Sequence, residues 1–234
     1  MTTTATPTDL DRLAALDPAF ARMAGATARY VRSIPELTDR EKTFLCVTAD
    51  VCQGSLGLAF RAHVRAGLAA GVSTADVREL LRFVSYDCGY HAATAGIERI
   101  AELETELGLA HPDPGSSTPE PAGPDAAPSP LPDAVRARLD ELDAHFTGYF
   151  DLQSRMRADH GPGTLSERER GLVSLSVDVH YQTLADTFRI HVGRALRGGA
   201  APEDVRAALR FTAQFGVTRA WHAWEALNAI LAES

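Results

Sequence analysis

The chain has 234 residues, of which 45% are hydrophobic, and this is enough to bury the core of one large domain or of two small ones. Its 31 acidic residues outnumber its 23 basic residues and give a formal net charge of -8, so a nucleic-acid-binding surface is not expected. No segment approaches the roughly 20 apolar residues that cross a bilayer, and the amino-terminal residues lack the features of a signal peptide. These properties predict a soluble cytoplasmic protein with neither nucleic-acid nor membrane partners.

Most of the chain has the pattern of amphipathic α-helices. Apolar residues recur at intervals of three and four in segments rich in Ala, Leu, Arg and Glu, and strand patterns are few. Thr38 and Glu41 have the spacing of a capping box, and Gly71 is suited to close a helix. Five helices are predicted in the first half. The first lies near residues 9–32, and the second runs from Thr38 to residues 53–55. The third ends at Gly71, the fourth begins at residues 73–74, and the fifth covers residues 90–107.

A proline-rich segment separates the two halves of the chain. Residues 109–132 contain eight of the 13 prolines. Because proline lacks an amide hydrogen and this composition offers little apolar surface, the segment is not expected to form a helix or a core. We interpret residues 109–132 as an extended linker between a first repeat, residues 8–108, and a second repeat, residues 133–234.

The two halves are copies of each other. Residues 37–83 align without a gap with residues 165–211 at an offset of 128, and 18 of the 47 aligned positions are identical. Typical composition gives only about three identities by chance. The sequence therefore predicts an all-α fold with two tandem helical repeats. Five helices are also predicted in the second repeat. The first lies near residues 133–158, and the second begins at the capping box of Ser166 and Glu169. The third ends at residues 198–199, the fourth begins at Pro202, and the fifth covers residues 218–232.

One histidine recurs at the same position of both repeats, as His63 and His191. In the first repeat it shares a helix face with Phe60 and Val64, so it is expected to point toward other helices. An imidazole in that position needs a partner, because an unpaired buried polar group costs about 1 to 3 kcal/mol. Two interpretations stay open: a core histidine bonded to a carbonyl or carboxylate, or a proton donor or acceptor that lines a pocket.

Residues at the end of the second helix of each repeat are candidates for a pocket wall. That helix is expected to end where the next one departs, close to the recurrent histidine of the same repeat. The residues there are Cys52 and Gln53 in the first repeat and His180 and Tyr181 in the second. Because the second set is more polar, it favours the second repeat as the substrate site. The alternatives are a small buried apolar residue for Cys52 and helix-end packing for His180 and Tyr181.

Recurrent arginines offer further interactions. Arg61 and its counterpart Arg189 are expected to pair with Asp50 and Asp178, or to hold a substrate carboxylate. Each arginine lies two residues before the recurrent histidine, so its side chain points away from that histidine. This position is compatible with either role.

Arg40 and Arg168 occupy the first turn of a helix, where the helix dipole disfavours a cation. A specific partner is therefore expected for each, either a glutamate at position 41 or 169 or an anionic ligand.

Trp221 lies on a broad apolar face of the last helix, where core or subunit packing is the alternative to a pocket lid. Neither His63 nor His191 has another His or a carboxylate three or four residues away on its helix, so no metal site is predicted.

The run L-[ST]-[DE]-R-E, followed some twenty residues later by R-x-H-V-x-x-x-L-x-x-G, resembles the carboxymuconolactone decarboxylase and alkylhydroperoxidase D-like superfamily. The resemblance covers both halves and implies compact helical units that associate in pairs. It also implies a homo-oligomer, with a trimer of two-repeat chains favoured. The hydroperoxidase branch uses a CxxCxxxH motif, whose cysteine positions hold no thiol in either repeat, so peroxide reduction by that mechanism is not expected.

The decarboxylase branch implies chemistry without a metal or an organic cofactor. A histidine matching His63 or His191 would protonate an electron-rich carbon as carbon dioxide leaves. We therefore expect a cofactor-independent lyase or isomerase that acts on a small carboxylated or enolisable metabolite, such as a polyketide-like compound. The alternative is a ligand-binding or assembly protein without catalysis. The candidate residues are His191 and His63 for catalysis, and His180, Tyr181, Arg168, Arg40, Cys52 and Trp221 for substrate binding.

Overall fold

The structure is a computed structural model that describes residues 8–111, 130–158 and 165–232. Within these ranges it contains α-helices and one short 3₁₀ turn but no strand, which confirms the predicted all-α fold. Most of the predicted linker, residues 109–132, lies outside the described residues. In the described part of the chain, no helix is both long and apolar enough to cross a membrane.

Each repeat contains six helices in the described residues. In the first repeat they are α1 (Asp9–Leu16), α2 (Pro18–Arg32), α3 (Asp39–Gln53), α4 (Leu58–Ala69), α5 (Thr74–Cys88) and α6 (Tyr90–Leu107). In the second they are α7 (Asp133–Leu142), α8 (Ala144–Ala158), α9 (Glu167–Tyr181), α10 (Asp186–Arg197), α11 (Pro202–Thr212) and α12 (Val217–Ala232), with the 3₁₀ turn Ala213–Phe215 before α12.

The opening helix predicted in each repeat is wrong in one respect, because an aspartate divides it into two helices. Asp17 is extended, as expected for a residue that precedes a proline, and its carboxylate accepts a hydrogen bond of 2.9 Å from the amide of Phe20. Asp143 is also extended and accepts one of 2.6 Å from the amide of Phe146. Each aspartate therefore caps the second helix of its pair.

The predicted capping boxes and the closing glycine are confirmed. The Thr38 hydroxyl accepts a hydrogen bond of 3.1 Å from the amide of Glu41, and Glu41 Oε2 accepts one of 2.8 Å from the amide of Thr38. The same pair of bonds joins Ser166 and Glu169. Gly71 follows α4 with a φ of 87°, a conformation that favours glycine. These signals fix where the central helices α3 and α9 begin.

The two repeats pack against each other through α3 and α9. Leu45 of α3 lies in the core formed mainly by the second repeat, whereas Val173 and Val177 of α9 lie in the core formed mainly by the first. The amino-terminal ends of the two helices are in contact, and so are their carboxyl-terminal ends. The helices therefore run side by side in the same direction, related by an approximate twofold axis.

Reciprocal ion pairs join the amino-terminal ends of α3 and α9. Arg40 Nε lies 2.8 Å from Glu169 Oε1. Arg168 Nε lies 2.6 Å from Glu41 Oε1. Each arginine also pairs with an aspartate of its own repeat. The expected glutamate partners are thus present, but each belongs to the opposite repeat.

A close helix contact in each repeat depends on a small residue. In the first repeat, a Cβ added to Gly67 of α4 would lie 2.4 Å from Thr43 Cγ2 of α3. In the second, a Cβ added to Gly171 of α9 would lie 2.4 Å from the backbone Cα of Ala195 in α10. The glycine is therefore on opposite helices in the two repeats, and only in the second would it meet backbone.

We expect Gly171→Ala to destabilise the protein by about 1 to 3 kcal/mol, because α9 and α10 must separate to accept the methyl group. Gly148→Ala is the matched control, because Gly148 is helical, exposed and without neighbours within 4 Å of an added Cβ. The control is expected to gain about 0.5 to 1 kcal/mol from its lower backbone entropy in the unfolded chain. Urea unfolding measures both changes, and equal effects would contradict the close contact.

Candidate functional site

The recurrent histidine has a carboxylate partner in both repeats. His63 Nδ1 of α4 lies 2.7 Å from Asp50 Oδ2 of α3. His191 Nδ1 of α10 lies 2.6 Å from Asp178 Oδ2 of α9. Because an ionised carboxylate only accepts hydrogen bonds, each Nδ1 carries the proton. The bond holds the ring in one orientation and leaves Nε2 available for other interactions.

The expected ion pair between Arg61 and Asp50 is wrong. Arg61 is paired with Glu106 and, at 3.1 Å, with Asp9 Oδ1. Its position two residues before His63 on α4 directs it toward α1 and α6, whereas Asp50 on α3 faces the histidine.

Electrostatic interactions favour the charged form of His63. Burial acts to lower the pKa of this imidazole, but contact with Cys46 and the hydrogen bond to Asp50 outweigh burial and raise the pKa. Burial raises the pKa of the Asp50 carboxyl, and its hydrogen bond with His63 opposes that effect. His63 is therefore suited to hold a proton at neutral pH and to donate it.

A cavity of about 110 Å³ lies beside His63. Its walls come from α2, α3 and α4 of the first repeat, with Cys46 next to the histidine, and from Phe211 and Gln214 of the second repeat. Phe215 adds an edge-to-face ring contact to His63, with centroids 6.1 Å apart. The cavity is large enough for several water molecules or a small organic molecule, and it is complete only when both repeats are present.

Two cations, Arg32 and Lys42, also line this cavity. Arg32 is exposed, and Lys42 Nζ donates a hydrogen bond of 2.9 Å to the Arg32 carbonyl oxygen. Asp39 Oδ1 is 3.9 Å from Lys42 Nζ. Lys42 precedes Cys46 by four residues on α3, which corresponds to about 6 Å along the helix axis. A carboxylated molecule could therefore place its anion near the cations and another group near His63.

The equivalent space in the second repeat is occupied by a buried arginine. Arg157 of α8 stands where α2 has Val31, at an offset of 126. Its guanidinium lies 4.3 Å from the centre of the Phe83 ring and donates hydrogen bonds of 2.6 Å to Ser174 Oγ and 2.8 Å to Asp87 Oδ2. Phe83 and Ser174 correspond to Phe211 and Cys46 of the first site. Arg157 thus fills the position that is open beside His63.

His191 is accordingly more enclosed than His63, since 11% of its side chain is exposed against 25% for His63. Its partner Asp178 also accepts a hydrogen bond of 2.6 Å from the Thr183 hydroxyl. Burial raises the pKa of the nearby Asp87 carboxyl, while Arg157 and His191 lower it. The second site is a closed polar network.

His180 lies at the contact between the repeats. Its Nδ1 is 3.4 Å from Gln53 Nε2, and its ring packs edge-on against Phe215, with centroids 6.0 Å apart. Because Phe215 also contacts His63, His180 belongs to the surroundings of the first-repeat histidine. Burial, with a contribution from Arg219, lowers the pKa of His180 to about 4, so this ring is neutral at pH 7.

The remaining predicted binding residues lie away from the cavity walls. Cys52 and Tyr181 contact each other, and burial raises the pKa of both groups, that of Cys52 to about 12. Trp221 is exposed, and its indole donates a hydrogen bond of 3.2 Å to Glu225. Arg40 and Arg168 are engaged in the ion pairs between the repeats. Within the described ranges, no three His, Cys, Asp or Glu side chains are grouped so that they could bind a metal ion.

Comparison with known proteins assigns the family. A sequence model of the carboxymuconolactone decarboxylase family matches residues 18–102 and again residues 145–229. The chain belongs to the carboxymuconolactone decarboxylase family. Each match falls within one repeat, which agrees with the tandem organisation of the sequence.

This family member is similar in fold to the crystal structure of a candidate gamma-carboxymuconolactone decarboxylase subunit from Burkholderia xenovorans LB400. The TM-score is 0.53 and the sequence identity 21%, over 98% of this chain and 92% of the other. At this identity the similarity concerns the fold. No match was found among curated proteins.

Several site residues of this carboxymuconolactone decarboxylase family protein were not identified from sequence. The two aspartates that bind the histidines were assigned to arginines, although their constant distance of 13 residues before the histidine was a usable signal. Arg32 and Lys42 carry no signal of their own, because they approach the cavity only when α2 and α3 pack. Arg157 and Asp87 are 70 residues apart in sequence, and no local pattern relates them.

We expect Arg157→Val to destabilise the protein by about 3 to 5 kcal/mol, because Asp87 would lose the cation that compensates its buried charge. Asp87→Phe should also destabilise, by leaving Arg157 unpaired. The double variant reproduces the pair found beside His63, Val31 and Phe215, and should be more stable than either single variant. Urea unfolding of the four proteins measures the coupling, and additive losses would contradict it.

Proposed function

We propose that this protein is a lyase or isomerase that transfers a proton to or from a carbon atom of a small carboxylated or enolisable metabolite. His63 is the acid and base of this reaction, and the cavity beside it receives the substrate. The observation that supports the proposal is the His63–Asp50 pair at the wall of a cavity that two cations also line. The chain's own residues supply this chemistry.

His63 has the properties that proton transfer requires. The bond from Nδ1 to Asp50 stabilises the imidazolium and orients Nε2. A carbon atom that gains electron density, for example as carbon dioxide leaves or as an enolate forms, would receive the proton from that nitrogen. Positioned acid–base groups of this type accelerate reactions by about 10² to 10⁴.

Arg32 and Lys42 are the proposed anchors of a substrate carboxylate. A guanidinium or ammonium group forms charge-assisted hydrogen bonds with a carboxylate, and these are stronger than neutral ones. Arg40 and Arg168, which the sequence suggested for this task, hold the two repeats together in this proposal. His191, with Arg157 beside it, has a structural role.

Deuterium exchange tests the proposal without knowledge of the natural substrate. Wild-type protein in D₂O should accelerate exchange of the hydrogens next to the carbonyl in at least one of a panel of short 3-oxo and 4-oxo acids, followed by proton NMR. We expect His63→Gln to lower the exchange rate by about 10²-fold or more. His191→Gln, the matched control, should keep most of it.

NMR titration of the histidines tests the electrostatic basis separately. Asp50→Asn should lower the pKa of His63, because the carboxylate that favours the imidazolium is removed. Unchanged exchange in His63→Gln, or no exchange with any acid in the panel, would favour the alternative of a ligand-binding protein without catalysis. A large loss of thermal stability in His63→Gln would instead indicate a structural histidine.

We also propose that the chain forms a homo-oligomer. Exposed apolar side chains recur at equivalent positions of the two repeats: Leu16 and Leu142, Phe20 and Phe146, and Met23 and Tyr149. Contact between the α1–α2 face of one chain and the α7–α8 face of the next would bury both sets and allow a closed ring. A trimer is the assembly that the family resemblance favours.

The double variant Phe20→Ser/Phe146→Ser should dissociate the oligomer, because it removes the largest apolar group of each face. Val217→Ser is the control, since Val217 is an exposed apolar residue that lies outside these faces. Light scattering coupled to size-exclusion chromatography measures the mass. A wild-type monomer, or an oligomer that survives the double variant, would contradict the proposed interface.

A further inference from the structure

The three cysteines of the chain are free and have different surroundings. Burial raises the pKa of Cys52 to about 12 and that of Cys88 to about 11, so both thiols are poor nucleophiles. Cys46 lies instead in the wall of the cavity that His63 also lines. Of the three, it is the thiol placed to meet a molecule in the cavity.

Cys46 completes a constellation with His63 and Asp50. Cys46 and Asp50 are four residues apart on α3, so they lie one above the other on the helix face that meets α4. Asp50 binds Nδ1 of His63 at 2.7 Å, and the thiol lies beside the same ring. The arrangement is a nucleophile, a base next to it, and a carboxylate that orients the base.

The second repeat lacks this constellation. Ser174 replaces Cys46, and its hydroxyl accepts a hydrogen bond of 2.6 Å from Arg157. The space in front of it is filled by that guanidinium. A thiol in contact with both histidine and cavity is therefore a property of the first site.

We propose that Cys46 is a nucleophile that adds covalently to small α,β-unsaturated carboxylates bound in the cavity. This proposal rests on the proposed function, because the same histidine moves the proton. The substrate class follows from the lining of the cavity: the cations Arg32 and Lys42 attract a carboxylate, and the soft thiolate sulfur of Cys46 attacks a polarised double bond.

The addition balances without an oxidant or another reactant. The thiol proton passes to Nε2 of His63 before the attack, which gives the charged form of His63 described above, and the thiolate sulfur then forms a bond to the β-carbon. The electron pair of the double bond moves to the α-carbon as an enolate, and His63 returns the proton to that carbon. The product is a thioether in which the former double bond is single and free to rotate. Reversal of the steps after rotation would give the geometric isomer of the substrate.

Adduct formation can be measured directly on the purified full-length protein. The probe is trans-4-oxopent-2-enoate, a short carboxylate with an activated double bond. Intact-protein mass spectrometry, after borohydride reduction to prevent reversal, should show one adduct with the mass of the reduced acid, and peptide mapping should locate it on Cys46. Cys88→Ser should keep the adduct, whereas Cys46→Ser should abolish it.

Two comparisons test whether His63 and Lys42 affect the reactivity of Cys46. His63→Gln, checked for retained helicity and melting temperature, should slow alkylation of Cys46 by at least tenfold. Replacing Lys42 by Met should slow modification by iodoacetate more than modification by the neutral iodoacetamide. Alkylation of Cys52 or Cys88 as fast as that of Cys46, or no effect of His63→Gln on the Cys46 rate, would overturn the proposal.

The outcomes for the two proposals are distinguishable. If Cys46→Ser keeps deuterium exchange and Cys46 is no more reactive than Cys88, the nucleophile proposal fails and proton transfer by His63 stands. If Cys46 is selectively modified in a His63-dependent way, but no oxo acid undergoes exchange, the thiol site stands and the broader proton-transfer function fails.

Discussion

The parallel packing of α3 against α9 is the constraint on which the rest of the structure depends. The ion pairs Arg40–Glu169 and Arg168–Glu41 join the two helices at one end, and Gln53 and His180 meet at the other. Because these helices also carry the aspartates that orient the histidines, the packing fixes both histidine sites at once. It also supplies each site with a wall from the opposite repeat, so that neither site is complete within one repeat.

Duplication has given the chain two copies of one site, and a few substitutions have made them different. Val31 lines the cavity beside His63, whereas Arg157 at the corresponding position, paired with Asp87, fills the space beside His191. The backbone and the histidine–aspartate pair are kept in both. The first site thus has a cavity beside its histidine and the second has a buried ion-pair network, which accounts for the different exposure of the two histidines without any change of fold.

The helices and their boundaries could be predicted from sequence because their signals are local. Thr38 with Glu41 determines a helix start within four residues, and Gly71 determines an end. The breaks at Asp17 and Asp143 were missed, although each aspartate caps the helix that follows it and aspartate is a preferred residue at that position. The candidate site could not be predicted in the same way, because it is formed by contacts between segments that are distant in sequence. The histidines were found through their recurrence, but the open space beside His63 results from Val31, Phe211 and Gln214, which come together only when the repeats dock.

Glu41 uses its two carboxylate oxygens for different purposes, one for the amide of Thr38 at the start of α3 and the other for Arg168 of the opposite repeat. Formation of the helix and docking of the repeats therefore stabilise the same side-chain conformation. The two halves, although each resembles a complete unit in sequence, are in this respect a single cooperative folding unit. A half-chain produced alone would expose the apolar surface of its central helix and leave its arginine without a glutamate, and it would have to associate with another copy to recover both.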